Sequence, residues 1–199
     1  MEAVLDLPLF DGDVLSHERS DAARNRRRIL AAAGDLVAQR GIEHVSMDDV
    51  ARAAAVGTGT LYRRFGDRAG LALALLDEHT REFQDLFIYG PPPLGPGAPA
   101  ADRLHAFGAG YLALLERHAS LLATALPAGR GGQGPQQAYA THLSILLREM
   151  SPELDPEFAS QALLAVLAPG HFLHVTRNLG WTPERVLEGW CRLIDALAA

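Results

Sequence analysis

Between Gly90 and Ala101 the chain reads GPPPLGPGAPAA, and no helix or strand can run through it. Five prolines among these twelve residues remove the amide donors that either structure needs, and three glycines leave the backbone unrestrained. On both sides the apolar residues recur at intervals of three and four. Ile29, Leu30, Ala33, Leu36 and Val37 stand before it, then Leu71, Leu75, Leu76, His79, Phe83 and Leu86. Leu104, Phe107, Tyr111, Leu114 and Leu115 follow it, then Tyr139, Leu143, Leu146, Leu147 and Met150. No stretch alternates as a half-buried strand would, so the chain is expected to be all-α. The pattern divides it into an acidic flexible tail (1–19), an N-terminal helical domain (20–88), the Pro/Gly-rich loop (89–101) and a C-terminal helical domain (102–199). A second flexible loop is expected at Gly129–Pro135.

The first helix is expected from Ser20 or Asp21 to about Arg40, where Gly41 stops it. Ser46 caps a second, with Asp49 three residues later as a capping-box partner. A third runs about Thr58–Phe65, and Asp67 caps a longer one. Asp155-Pro156 and Thr182-Pro183 start the last two, about 156–178 and 183–197. Pro169-Gly170 should kink or split the first of that pair.

Charge is unevenly placed. The 199 residues carry 18 basic and 24 acidic side chains, a formal net charge of −6, and every basic one is arginine. Residues 19–68 hold ten of those arginines against six acids. One basic segment therefore lies inside an acidic protein, which excludes a non-specific nucleic-acid coat but not a local nucleic-acid surface.

Cys191 is the one cysteine, so no intrachain disulfide or cysteine-based zinc cluster can form, and a reducing cytoplasm fits. The acidic N-terminus lacks the basic start of a secretory signal. Phe158–Thr176 runs nineteen residues without a formal charge but contains Ser160, Gln161, Pro169, Gly170, His171 and His174. It reads as a largely buried helix rather than a membrane span. His171 and His174 are spaced as a ligand pair could be, but nothing completes a site, so no metal and no cofactor is expected. There is no Gly-rich phosphate loop and no nucleophile elbow, so the chain is not expected to be an enzyme.

The most informative stretch is Ser46–Leu71, SMDDVARAAAVGTGTLYRRFGDRAGL. Two short helices joined by a tight turn, with small residues between them, make helix-turn-helix geometry at about 46–65. Leu61 and Phe65, four apart, anchor the second helix, leaving Thr58, Thr60, Tyr62, Arg63 and Arg64 for an outward surface. Hydroxyls donate to phosphates, arginine forks onto guanine O6 and N7, and Gly59 allows a phosphate close to the helix start. Arg24 on the first helix is a further phosphate candidate, and Ser46, Met47 and Arg68 complete the candidate contacts.

The run VGTGTLYRRF, with Val50-Ala51 upstream and Asp67, Arg68 and Leu71 downstream, resembles the DNA-binding domain of the TetR family of transcriptional regulators. Asp21–Arg26 and Ile29-Leu30 are similar to that family's first helix, so the resemblance covers roughly residues 20–85. Two positions depart from it. Ala55 stands where the family usually has glycine in the turn, and Gly57 where it often has serine as a cap. The resemblance implies a homodimeric regulator that binds double-stranded operator DNA through Thr58–Arg64 and is released as a repressor by a partly apolar small-molecule effector. A ligand-dependent activator is the first alternative. A helical binding protein or enzyme that kept the motif as a scaffold is the second.

By the same resemblance the C-terminal helices would bind the effector and form the dimer. Phe107, Tyr111, Leu146, Met150 and Phe172, near the helix-breaking Gly108, Gly110 and Pro169-Gly170, are the expected pocket. Val186, Trp190, Leu193 and Leu197 recur along the last helix, with Gly189 open to a close helix crossing. With Phe158 on the preceding helix they are the expected dimer surface, a four-helix bundle about a twofold axis.

Overall fold

The computed structural model describes residues 12–41, 44–125 and 133–198. Their regular elements are all helices, with no strand among them. The helices are α1 (Gly12–Arg40), α2 (Met47–Ala53), α3 (Thr58–Phe65), α4 (Arg68–Tyr89), α5 (Ala100–Ala125), α6 (Gln133–Met150), α7 (Pro156–Val166), α8 (Pro169–Leu173) and α9 (Pro183–Ala198). A π-helical turn, His174–Asn178, continues α8. The chain divides into two compact units, one ending at Leu75 and one beginning at Leu76. The division falls inside α4, and the Pro/Gly-rich segment lies within the second unit instead of between the two. There it forms turns, with Leu94 packed on that unit's core and Ala100 inside it.

α1 begins at Gly12, eight residues before Ser20. The expected tail is therefore helical from Gly12 on. Residues 12–20 offer one apolar pair, Val14-Leu15, too little for a periodicity to be read, yet they contain no breaker after Gly12. Residues 1–11 of that tail, with Val4, Leu5, Leu7, Leu9 and Phe10, lie outside the described residues.

The caps expected at four helix starts are present. The Asp49 amide donates to the Ser46 hydroxyl at 3.1 Å and the Ser46 amide to the Asp49 carboxylate at 3.2 Å. Ser46 thereby also holds the Asp49 carboxyl below its ordinary range. Asp67 accepts from Gly70 N at 2.8 Å, Asp155 from the Glu157 and Phe158 amides at 3.1 Å, and Thr182 from Arg185 N at 3.3 Å.

In the first unit, Ile29, Leu30 and Ala33 of α1 meet Val50 and Ala51 of α2, Leu61 and Phe65 of α3, and Leu71 and Leu75 of α4. α2 ends in a Schellman turn. Val56 N donates to Ala51 O at 2.9 Å, Ala55 N donates to Arg52 O at 3.2 Å, and Ala55 takes φ +51°. That left-handed backbone suits glycine better than an L-residue. Ala55→Gly is expected to raise stability by up to about 1 kcal/mol, read as a higher denaturant midpoint at unchanged slope.

The second unit is built around α5, whose Leu104, Phe107, Tyr111 and Leu115 are buried against α6, α8 and α9. From α9, Val186, Trp190 and Ile194 point into this core. Trp190 is 0% exposed, and its indole Nε1 donates to the Leu104 carbonyl at 2.9 Å. Gly108 provides the space, since a Cβ there would stand 2.1 Å from that nitrogen. Trp190 and Val186 are thus core residues of their own subunit, and the expectation that they form the dimer surface is corrected. Gly189 is exposed with open space around it, so no helix among the described residues crosses there.

The uncharged stretch 158–176 is not one helix. The chain leaves helical geometry at Leu167 and Ala168, and Pro169 starts α8, as the proline position requires. By length and composition Pro156–Asn178 is apolar enough to cross a membrane. In this structure its Leu163, Leu167, Phe172 and Val175 supply the core of the second unit.

Candidate nucleic-acid interface

α3 is short, strongly two-sided and held from below. Leu61 and Phe65 enter the core of the first unit, while Tyr62, Arg63 and Arg64 stand on the exposed side, Tyr62 at 52%. Thr58 and Thr60 are half-buried, and Gly59 is exposed with nothing near the place a Cβ would take. Gly57 is the N-cap at φ −69°, ψ 138°, an ordinary extended conformation. It makes no side-chain cap, and while Thr60 N donates to the Gly57 carbonyl at 2.9 Å, the Thr58 and Gly59 amides keep donors for an outside acceptor. Hydroxyl, phenol, guanidinium and leading amide groups thus lie together on one short helix.

The two neighbouring arginines are not equivalent. Arg64 Nη1 donates to the Ala22 carbonyl of α1 at 2.8 Å, and the Arg26 guanidinium lies 5.7 Å over the Phe65 ring. These two contacts tie α3 to the middle of α1. Arg63 makes no hydrogen bond or ion pair among the described residues, and its guanidinium faces solvent. The sequence gives no sign of this difference, because Ala22 lies 42 positions from Arg64.

The other candidates separate as well. Arg24 is exposed and paired with Asp21. Arg68 is exposed in the first turn of α4. Ser46 is exposed, but its hydroxyl serves the α2 cap. Met47 is 6% exposed and packed in the core of the first unit, so its place among the surface contacts is corrected. It reads as polar-facing only because it follows the cap directly.

In the second unit, four expected pocket residues, Phe107, Tyr111, Leu146 and Phe172, are buried in the core and Met150 packs at its edge. The Phe107 and Tyr111 rings stack at 6.1 Å and 8°, and Tyr139 meets both nearly edge-on. These side chains fill space against one another. Gly110 leaves room for Phe83, whose ring edge would be 2.6 Å from a Cβ there, so it serves packing. His79 Nδ1 and His118 Nε2 lie 2.8 Å apart, and burial lowers both imidazoles, His118 to about 4.

Residues 29–75 match the bacterial regulatory proteins of the tetR family. Over 70 residues the chain is 37% identical to an HTH-type transcriptional regulator of Staphylococcus aureus (strain USA300), which is 35% of this chain and 36% of that protein. The chain thus matches about a third of the length of such relatives. A TetR-family regulator from Rhodococcus sp. shares its fold at a TM-score of 0.60 and 23% identity, over 89% of this chain and 100% of that one. AibR, solved with isovaleryl coenzyme A and operator DNA, aligns at a TM-score of 0.52 and 19% identity, over 85% and 97%. Residues 29–75 thus carry the tetR-family match, and the described residues share the all-helical fold of solved regulators of that family.

Proposed function

We propose that the chain is a homodimeric, sequence-specific DNA-binding transcriptional regulator, a repressor released when a small molecule binds its second unit. The observation that carries this reading is α3, anchored inward by Leu61 and Phe65 and presenting Tyr62 and Arg63 outward. A helix so divided fits a major groove with side chains left over for base edges. The fold shared with AibR, a protein solved with both an acyl-coenzyme A and operator DNA, supports the effector half. Deleting the gene should raise a reporter placed behind the bound sequence; a reporter that falls instead assigns the chain as an activator.

Dimerisation is proposed through α7 and α9. Phe158 on α7 is 74% exposed, and Leu193 on α9 also stands outside the core. Leu197 is half-buried at its edge. Two copies would cover these side chains with a four-helix bundle, which obligate interfaces favour for their apolar character. Light scattering at micromolar concentration should report a dimer for the wild type and a monomer for Phe158→Glu. A monomeric wild type would overturn the proposal.

A further inference from the structure

The core of the second unit contains polar atoms that its own packing leaves unused. Tyr139 and His142 lie one turn apart on α6 and are 2% and 9% exposed. The Tyr139 hydroxyl and His142 Nε2 are buried without a hydrogen-bond partner, and so is Nε of Arg103 on α5. Natural proteins pair nearly all such atoms, because each unpaired one is destabilising.

The three side chains gather around Phe87, two at its ring and one at its carbonyl. Arg103 Nη2 donates to the Phe87 carbonyl at 3.4 Å. The ring of His142 lies 4.4 Å from that of Phe87, and the ring of Tyr139 lies 5.9 Å from it. Phe107 flanks the group, 5.7 Å from each of the other two rings. A guanidinium N–H and a phenol O–H are donors, and a neutral imidazole donates from whichever nitrogen carries the proton. Burial, then the Arg103 cation, holds His142 at about 4, so its ring is neutral at neutral pH. No carboxylate is buried with them: the buried polar side chains among the described residues are His118, His142 and Ser160. A cation and two donor groups therefore meet in an aromatic interior with no anion to receive them.

We propose that Arg103, Tyr139 and His142 hold the head group of the effector, and that this head group is a carboxylate carried on an apolar body. The inference rests on the reading of the second unit as the effector domain. A carboxylate offers about four lone-pair sites, enough for all three donors, and charge assistance strengthens each bond. An ammonium head would be repelled by Arg103, and a neutral ester would leave the guanidinium unmatched. The rings of Phe87 and Phe107 are the ones that must turn to admit the body.

Calorimetry on the full chain tests this with butyrate, decanoate, benzoate and phenylacetate, each against its methyl ester. At least one acid should bind, and more tightly than its ester. Tyr139→Phe deletes only an unpaired hydroxyl, so the unliganded variant should melt at the same temperature or higher. Its affinity for that acid should fall roughly tenfold or more. Arg103→Met should erase the preference for acid over ester. The proposal is overturned if none of the four acids binds, if acid and ester bind alike, or if Tyr139→Phe binds the acid unchanged. It is also overturned by a crystal structure in which waters satisfy all three atoms with the acid bound elsewhere. DNA binding is measured separately with no acid present. Loss of acid binding with DNA binding intact removes the effector site alone, and absent DNA binding removes the regulator reading alone.

Discussion

Trp190→Ala is expected to destabilise the second unit by about 3–5 kcal/mol, the range for emptying a buried aromatic site. The indole is fully buried, and α5 is shaped to receive it by the absence of a side chain at Gly108. Truncation would leave a cavity and strand the Leu104 carbonyl, which accepts the indole proton at 2.9 Å. Gly108→Ala attacks the same contact from the other side: its Cβ would lie 2.1 Å from the indole nitrogen, so the helices must part or the ring must turn. Thermal unfolding of both variants should show large losses. If either melted like the wild type, the assignment of Trp190 to its own subunit's core would be wrong.

Arg63→Ala and Arg64→Ala are expected to differ in kind. Arg63 has no partner among the described residues, so its loss should leave the melting temperature unchanged. If it reads a base, operator affinity should fall by about 1–3 kcal/mol, and selectivity should relax at one position in each half-site. Arg64 holds the Ala22 carbonyl, so its loss should loosen α1 against α3 and weaken binding to all sequences alike, with a measurable drop in stability. Anisotropy titrations on matched and single-mismatch duplexes, beside melting curves, separate the two. Unchanged operator affinity in both variants would remove α3 from the interface.

Most of the local structure was legible. Ser46 and Asp49, Asp67, Asp155 and Thr182 announce helix starts through short-range chemistry, which is why these boundaries agree with the caps found. Ala55 stands out through the family resemblance, which has glycine in that turn, and its φ of +51° in the structure is the left-handed backbone a glycine would favour. The stripe along α9 is real, but its Val186 and Trp190 face the core of their own chain, while Leu193 stands outside it. Val186, Trp190 and Leu193 all recur at helical spacing, and spacing alone does not tell whether the covering surface is α5 of the same chain or a second copy. The indole bond to Leu104, 86 residues away, decides it. Gly108 and Gly110 looked like markers of a cavity, when each accommodates one large side chain. Met47 follows a helix cap, a position whose side chain can face either way, and here it faces the core. The orphaned polar atoms of Arg103, Tyr139 and His142 left no trace in the pattern, since tyrosine and histidine at core spacing read as ordinary apolar positions.

Selection from a random-duplex library tests the central claim most directly, since it assumes no operator. The wild-type chain should enrich two inverted half-sites with centres about 34–36 Å apart or a multiple of that, as a twofold pair of α3 helices requires. Its affinity for the enriched duplex should exceed that for a scrambled one by about a thousandfold or more. Arg63→Ala should enrich the same site with one position relaxed in each half. A selection that enriches no sequence, or equal affinity for enriched and scrambled duplexes, would contradict the account.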